Sequence, residues 1–156
     1  MTAAAPLKNV AVFGAGGTNI GHHVVKALAS NPDEFTVSII ARKSTKSQFQ
    51  PRVQIHYVDD SLPHDQLVAA LHGQDALVSA IGFSAIALEE KLIAAAVEAG
   101  VKRFLPSEYG VNNTYPPARA LCPVFDAKGA VIDLLREKEE TGLTWTAVPN
   151  GLWLDW

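Results

Sequence analysis

Glycines set between two apolar runs carry the first chemistry that this sequence offers. Val10-Ala11-Val12-Phe13 leads into Gly14-Ala15-Gly16-Gly17-Thr18-Asn19-Ile20-Gly21, and His22-His23-Val24-Val25-Lys26-Ala27-Leu28 follows. That succession reads as a buried strand, a tight turn and an amphipathic helix. Gly14 lets the chain leave the strand sharply. Gly16 or Gly17 lets backbone approach a pyrophosphate with no Cβ in the way, and Gly21 lets the helix pack close to the sheet. The helix start then presents N–H groups and the positive end of its dipole to the phosphates. The stretch from Gly14 to Gly21, with Thr18, Asn19 and Ile20 inside it, is therefore the expected cradle of a dinucleotide. Its glycines fall one residue wider than G-x-x-G-x-x-G, and the competing reading is a purely structural strand-to-helix turn. The early position, after a strand and before a helix, favours the dinucleotide.

The second candidate cluster is basic. Phe35-Thr36-Val37-Ser38-Ile39-Ile40-Ala41 reads as strand two and ends in Arg42-Lys43-Ser44-Thr45-Lys46. The end of strand two lies beside the adenosine ribose of a bound dinucleotide. An acid there bonds the ribose hydroxyls of NAD, and a basic group accepts the 2′-phosphate of NADP. Here Arg42 and Lys43 stand with no acidic residue adjoining them. A guanidinium forks well onto phosphate oxygens. The alternative is a solvated basic loop; the position after strand two favours NADP(H).

The remaining elements must hold these two clusters together. Asn31-Pro32-Asp33 stops the first helix, Val53 to Val58 alternates as strand three, and Leu67 to Leu71 is a short helix ended by Gly73. Asp75 to Gly82 is strand four running into a turn, which puts Gly82 and Phe83 at a ligand-binding end of the sheet. Phe83 either packs on the cofactor or is ordinary apolar cover. Leu88 to Ala99 is a helix stopped by Gly100, Val101 to Leu105 is strand five, and Pro106 to Gly110 is the loop after it. Val111 to Pro123 reads as irregular, Val124 to Thr141 as a helix, and Leu143 to Val148 as strand six. Alternating strands and helices give a doubly wound parallel sheet with helices on both faces.

The 156 residues suit one domain, with residues 1–7 a flexible start and 8–156 the folded unit. Nearly half the residues are apolar, at 48%, so a core can be buried. The net charge of −3 and the lack of a basic run speak against a nucleic-acid partner. Cys122 is alone, so no internal disulfide forms, and nothing resembles a metal cluster. No apolar run reaches membrane-spanning length and the start lacks signal-peptide blocks, so a cytoplasmic location is the expectation.

One run is recognisable. Ala99-Gly100-Val101-Lys102-Arg103-Phe104-Leu105-Pro106-Ser107-Glu108-Tyr109-Gly110 resembles the A-G-V-K-R-F-x-P-S-E-[FYW]-G of the NmrA-like, isoflavone reductase-like family, a group of atypical short-chain dehydrogenase/reductases. The glycine loop, Arg42-Lys43-Ser44, Phe125-Asp126-Ala127-Lys128 and Thr146 to Trp153 fall where that family has them. The resemblance implies a Rossmann-type fold and bound NADP(H). In it, Gly14, Gly17 and Gly21 would cradle the pyrophosphate, Arg42 with Lys43 would hold the 2′-phosphate, and Lys128 would be the active-site lysine. Family members reduce small aromatic or polyketide-like compounds, and others are redox-sensing regulators that bind the dinucleotide without chemistry. Members also continue into a smaller substrate domain, most of which would be missing after Trp156. The apolar tail Leu152, Trp153, Leu154 and Trp156 then reads as cover for that domain, and strand six as an open edge through which copies could associate.

The tyrosine that usually stands four residues before the lysine in short-chain dehydrogenases is replaced by Val124. Lys128 would therefore act alone or through water, and its pKa would need lowering by burial or by a neighbouring cation for it to act as a base near neutral pH. Glu108 and Tyr109 have a loop position open to catalysis, but for Glu108 the simpler role is ordering its loop. An NADPH-dependent reductase of a small unsaturated or carbonyl substrate is the leading expectation. A non-catalytic dinucleotide sensor, or an inactive remnant, is the alternative.

Overall fold

The computed structural model describes residues 6–17, 19–51 and 53–151. Thr18, the first five residues and the tail from Leu152 to Trp156 lie outside the described residues, so expectations placed on them are not addressed below.

The elements follow the order β1 (Asn9–Phe13), α1 (Ile20–Ala29), β2 (Thr36–Arg42), β3 (Gln54–Val58), α2 (His64–Leu71), β4 (Ala76–Ser79), α3 (Leu88–Glu98), β5 (Arg103–Leu105), α4 (Pro116–Arg119), α5 (Pro123–Lys138) and β6 (Thr144–Trp145). The strands form one sheet in the order β3-β2-β1-β4-β5-β6, every neighbouring pair parallel. The chain order reverses beside β1, which makes the crevice between β1 and β4 the switch point where such sheets bind ligands.

The side-chain period of two sorts the sheet into two faces. Ala11 and Phe13 of β1 face a core shared with Leu67 and Leu71 of α2, Leu92 and Ile93 of α3, and Ile132 and Leu135 of α5. Val10 and Val12 face the other side, where Val25 of α1 packs with Ile39 and Val78. Helices cover both faces, so β1 reads as one continuous apolar run. The first helix ends as expected: Asn31 Nδ2 and Ser30 Oγ both donate to the Ala27 carbonyl, at 3.0 and 2.7 Å.

The amino end of the sheet is fastened by Asp75. Its Oδ2 accepts from the backbone N of Lys8 and Asn9, at 3.0 and 2.9 Å, and its Oδ1 meets Lys102 Nζ at 2.6 Å. Its own carbonyl accepts from the backbone N of Lys102 and Arg103. One residue thus ties together the starts of β1, β4 and β5.

Several boundaries differ from expectation. Strand six is only Thr144–Trp145, although it was expected over 143–148. Pro106 has no N–H and ends β5 after three residues, so β6 loses its partner; the last bond of the pair runs from Thr146 N to the Phe104 carbonyl at 3.0 Å. The stretch expected to be irregular contains the short α4, which two prolines start. The long helix α5 begins at Pro123 and tightens into a 3-10 turn over Glu139–Thr141, with Gly142 in the left-handed conformation closing it.

Candidate functional site

A cleft of about 430 Å³ opens at the carboxyl ends of β1, β2 and β4. Gly14, Gly16, Gly17, Asn19, Arg42 and Gly82 all line it. The glycine requirement is steric at Gly14: its φ is +90°, and a Cβ there would stand 2.6 Å from the Ala80 carbonyl oxygen. A side chain would push β1 off β4 at the switch point. At Gly21 a Cβ would meet the Gly14 carbonyl oxygen at 2.5 Å, so this glycine lets α1 seat directly on the loop. Asn19 Nδ2 donates to the same carbonyl at 3.0 Å and rivets the turn from inside. The first turn of α1 carries no acidic residue, which leaves its positive end available to an anion. Ile20 and Gly21 support the cleft from behind rather than line it.

The structure separates Arg42 from Lys43. Adjacent residues at a strand end point to opposite sides. Arg42 enters the cleft, whereas Lys43 Nζ pairs with Asp59 Oδ1 at 2.6 Å. The expectation of no acid nearby also needs correction in space. Arg42 is in register with Val58 of β3, so Asp59 and Asp60 arrive beside it. Asp60 Oδ1 accepts from Ser44 N at 3.1 Å, and the Ser44 hydroxyl first, then this amide, with a smaller pull from Arg42, hold its carboxyl below the usual range. Thr45 and Ser47 reach the cleft as well. Ser47 Oγ stands where a Cβ on Gly16 would be, 2.6 Å away. These two hydroxyls were missed in the sequence, where their place among Arg42, Lys43 and Lys46 was the available signal.

Lys128 is buried and stands at the Gly82 end of the cleft, its Nζ 5.9 Å from the centre of the Phe83 ring. Lys128 and Phe83 do not line the cleft itself, and Phe83 is exposed. Lys128 Nζ donates to the Ser107 carbonyl. Burial pulls its pKa down, against the raising charges of Glu108 and Glu89. Glu108 is also buried, and its Oε2 accepts from Asn113 Nδ2 at 2.8 Å, which is the loop-ordering role expected of it. Its Oε1 is buried with no hydrogen-bond partner among the described residues, and burial raises its pKa. Tyr109 is pushed up to about 12 by burial and by the Glu89 charge, so it stays a neutral phenol near neutral pH. Glu89 was not anticipated. It is fully enclosed, and burial raises its carboxyl to about 7 despite the Ser107 amide, the Ser79 hydroxyl and the Lys128 charge. A signal existed, since Glu89 falls in register with Leu92, Ile93 and Ala96 on the apolar stripe of α3.

Gly129, next to Lys128, has a separate role. Arg119 lies across α5 there, in the space a Cβ would fill. Its guanidinium pairs with Asp133 at 2.7 Å and Asp126 at 3.2 Å, stapling α4 to α5.

Among the described residues no group of three or more His, Cys, Asp or Glu side chains is placed to hold a metal ion. No helix among them is long and apolar enough to cross a membrane.

Sheet order, switch-point cleft and glycine turn define an α/β protein of the Rossmann type. The NmrA-like family model matches residues 6–151, and the chain belongs to that family. The oxidoreductase aprR of Aspergillus flavus is 43% identical over 147 residues, covering 94% of this chain and 49% of that protein. Among solved structures, the complex of leucoanthocyanidin reductase with NADPH from Vitis vinifera superposes with a TM-score of 0.70 at 26% identity, covering 90% of this chain and 49% of that one. The complex of AtPrR2 with NADP+ and (+)-pinoresinol gives 0.69 at 25% identity, covering 92% and 50%. The chain thus spans about half the length of these relatives.

Proposed function

We propose that this chain forms the cofactor-binding half of an NADPH-dependent reductase acting on a small aromatic or polyketide-like compound with an unsaturated or carbonyl group. The observation that carries the reading is one juxtaposition. The glycine turn and Arg42 share a single cleft, and the buried Lys128 stands at its Gly82 end. The cradle fits a dinucleotide: Gly14, Gly16 and Gly17 line the cleft with backbone alone, and α1, with no acidic residue in its first turn, starts beside it. Gly14, Gly16, Gly17 and Asn19 would hold the pyrophosphate. Arg42, with the Thr45 and Ser47 hydroxyls, would take the 2′-phosphate. When bound, NADPH supplies the hydride. Lys128 holds a proton at Nζ, kept in place by the Ser107 carbonyl, and delivers it to the substrate. Relatives named as reductases, and solved with NADPH or NADP+, support this reading.

Calorimetric titration with NADPH and NADH tests it. Binding should favour NADPH, and Arg42→Ala should remove about 1–3 kcal/mol of that preference, the worth of a charge-assisted contact. Equal affinities in the parent chain would overturn the assignment.

A further inference from the structure

Two helices each carry one charged residue on an otherwise apolar stripe. On α3 it is Glu89, in line with Leu92, Ile93 and Ala96; on α5 it is Lys128, in line with Ile132 and Leu135. Both stripes face the same core. The two charges meet at one residue of the loop after β5. Glu89 Oε1 accepts from Ser107 N at 3.0 Å, and Lys128 Nζ donates to the Ser107 carbonyl. The Ser107 hydroxyl donates to the Ile81 carbonyl at 2.7 Å, just before Gly82. Each hydrogen-bonding group of Ser107 is therefore held by a different segment. It cannot tilt without leaving a buried polar group unpaired, which is costly. The carbonyl that receives the ammonium is aimed by the carboxylate on its other side.

We propose that Glu89 is a positioning residue for Lys128: it fixes Ser107 from within the core, so that Lys128 Nζ stays directed toward Phe83, and its negative charge helps the amine keep its proton. Only the functional value of this arrangement rests on the reading of Lys128 as the active-site lysine; the arrangement itself does not. The groups facing the pair are Ser79 from β4, Ser107, Glu108 and Tyr109 from the loop after β5, and the two partners themselves. Glu108 adds a second negative charge near the ammonium. A buried ammonium between two carboxyls keeps its charge by their presence, and removing either raises the cost of that charge.

The test is an NMR titration of the lysine side chains, with the Lys128 signal identified by its loss in Lys128→Met. In the parent protein, ionisation of Glu89 near pH 7 should give a shared inflection at the Glu89 carboxyl carbon, the Ser107 amide and the Lys128 Cε. Glu89→Gln keeps an oxygen for the Ser107 amide and removes only the charge. It should lower the Lys128 midpoint by about one pH unit and abolish the inflection at Ser107. An unchanged midpoint, or a parent protein in which the three nuclei titrate independently, overturns the proposal. The parent titration decides it even if the variant fails to fold. In turnover assays with NADPH, Glu89→Gln should shift the pH profile of kcat and leave KM for NADPH unchanged. Turnover that survives Lys128→Met would overturn the catalytic role of the lysine while leaving the titration result intact.

Discussion

The two ends of the sheet use carboxylates in opposite ways. At the amino end, Asp75 receives two backbone amides and the Lys102 ammonium, and the Asn9, Lys102 and Lys8 bonds hold its carboxyl down at about 2. At the carboxyl end, Glu89 and Glu108 are raised by burial and Lys128 is lowered by it. Asp75 is charged because the fold gives its charge donors. Glu89, Glu108 and Lys128 are enclosed where every charge is disfavoured, and a few hydrogen bonds together with the attraction of each carboxyl for Lys128 offset that only in part. The difference teaches that the same sheet is stapled at one end and kept electrostatically tense at the other, and perturbed groups of that kind cluster at functional sites.

The largest effect is expected at the cleft. Gly14→Val places a β-branched side chain at a φ of +90° against the Ala80 carbonyl. It should cost about 4 kcal/mol of stability, from backbone strain and overpacking together, and abolish dinucleotide binding. Chemical denaturation and NADPH titration check both; normal binding would show that the turn tolerates a side chain.

Glu89 gives the next largest effect, and its sign is opposite to that of Asp75. Because its folded pKa is raised, its contribution is full below the unfolded value of 4.5 and is lost as pH rises through about 7. The parent should therefore lose on the order of 3 kcal/mol between pH 4.5 and pH 8 from this group, and Glu89→Gln should not. Urea denaturation at the two pH values measures the difference between their slopes.

Asp75 behaves in the reverse sense. Its folded pKa is lowered, so its contribution is present above the unfolded value of 3.8 and disappears as pH falls through about 2. Asp75→Asn should cost about 1 kcal/mol at neutral pH, once solvent screening at this partly open site is allowed for. It should also flatten the acid limb of the stability curve. A variant as stable as the parent at pH 7 would mean that the amino end is not held by this carboxylate.

The smallest effect separates Lys43 from Arg42. Lys43→Ala breaks only an exposed pair with Asp59 and should leave both stability and the preference for NADPH within error of the parent. A lost preference would place Lys43, and not Arg42 alone, at the 2′-phosphate.

Much of this architecture was legible in the residues because steric rules write it locally. Gly14 and Gly21 announced the turn, and the β-branched run before Arg42 announced the strand that carries it into the cleft. The parting of Arg42 and Lys43 was available from strand alternation, but the acids that reach them come from β3 and appear only once the register is known. Strand six was overread because its end is set by Pro106 on a different strand. The meeting of Glu89 and Lys128 at Ser107 joins three segments remote in sequence. Only the odd charge on each apolar stripe hinted at it.

Gly129 has a consequence for how this chain can change. Alanine is the best helix former and exceeds glycine by about 1 kcal/mol in a helix interior. A survey that scored only local propensity would therefore recommend Gly129→Ala in α5. Yet the added methyl would occupy the place of the Arg119 side chain and pull it from Asp133 and Asp126. At the position immediately after Lys128, the gain in helix propensity is thus set against the Arg119 pairs with Asp126 and Asp133, a cost that local propensity alone does not register.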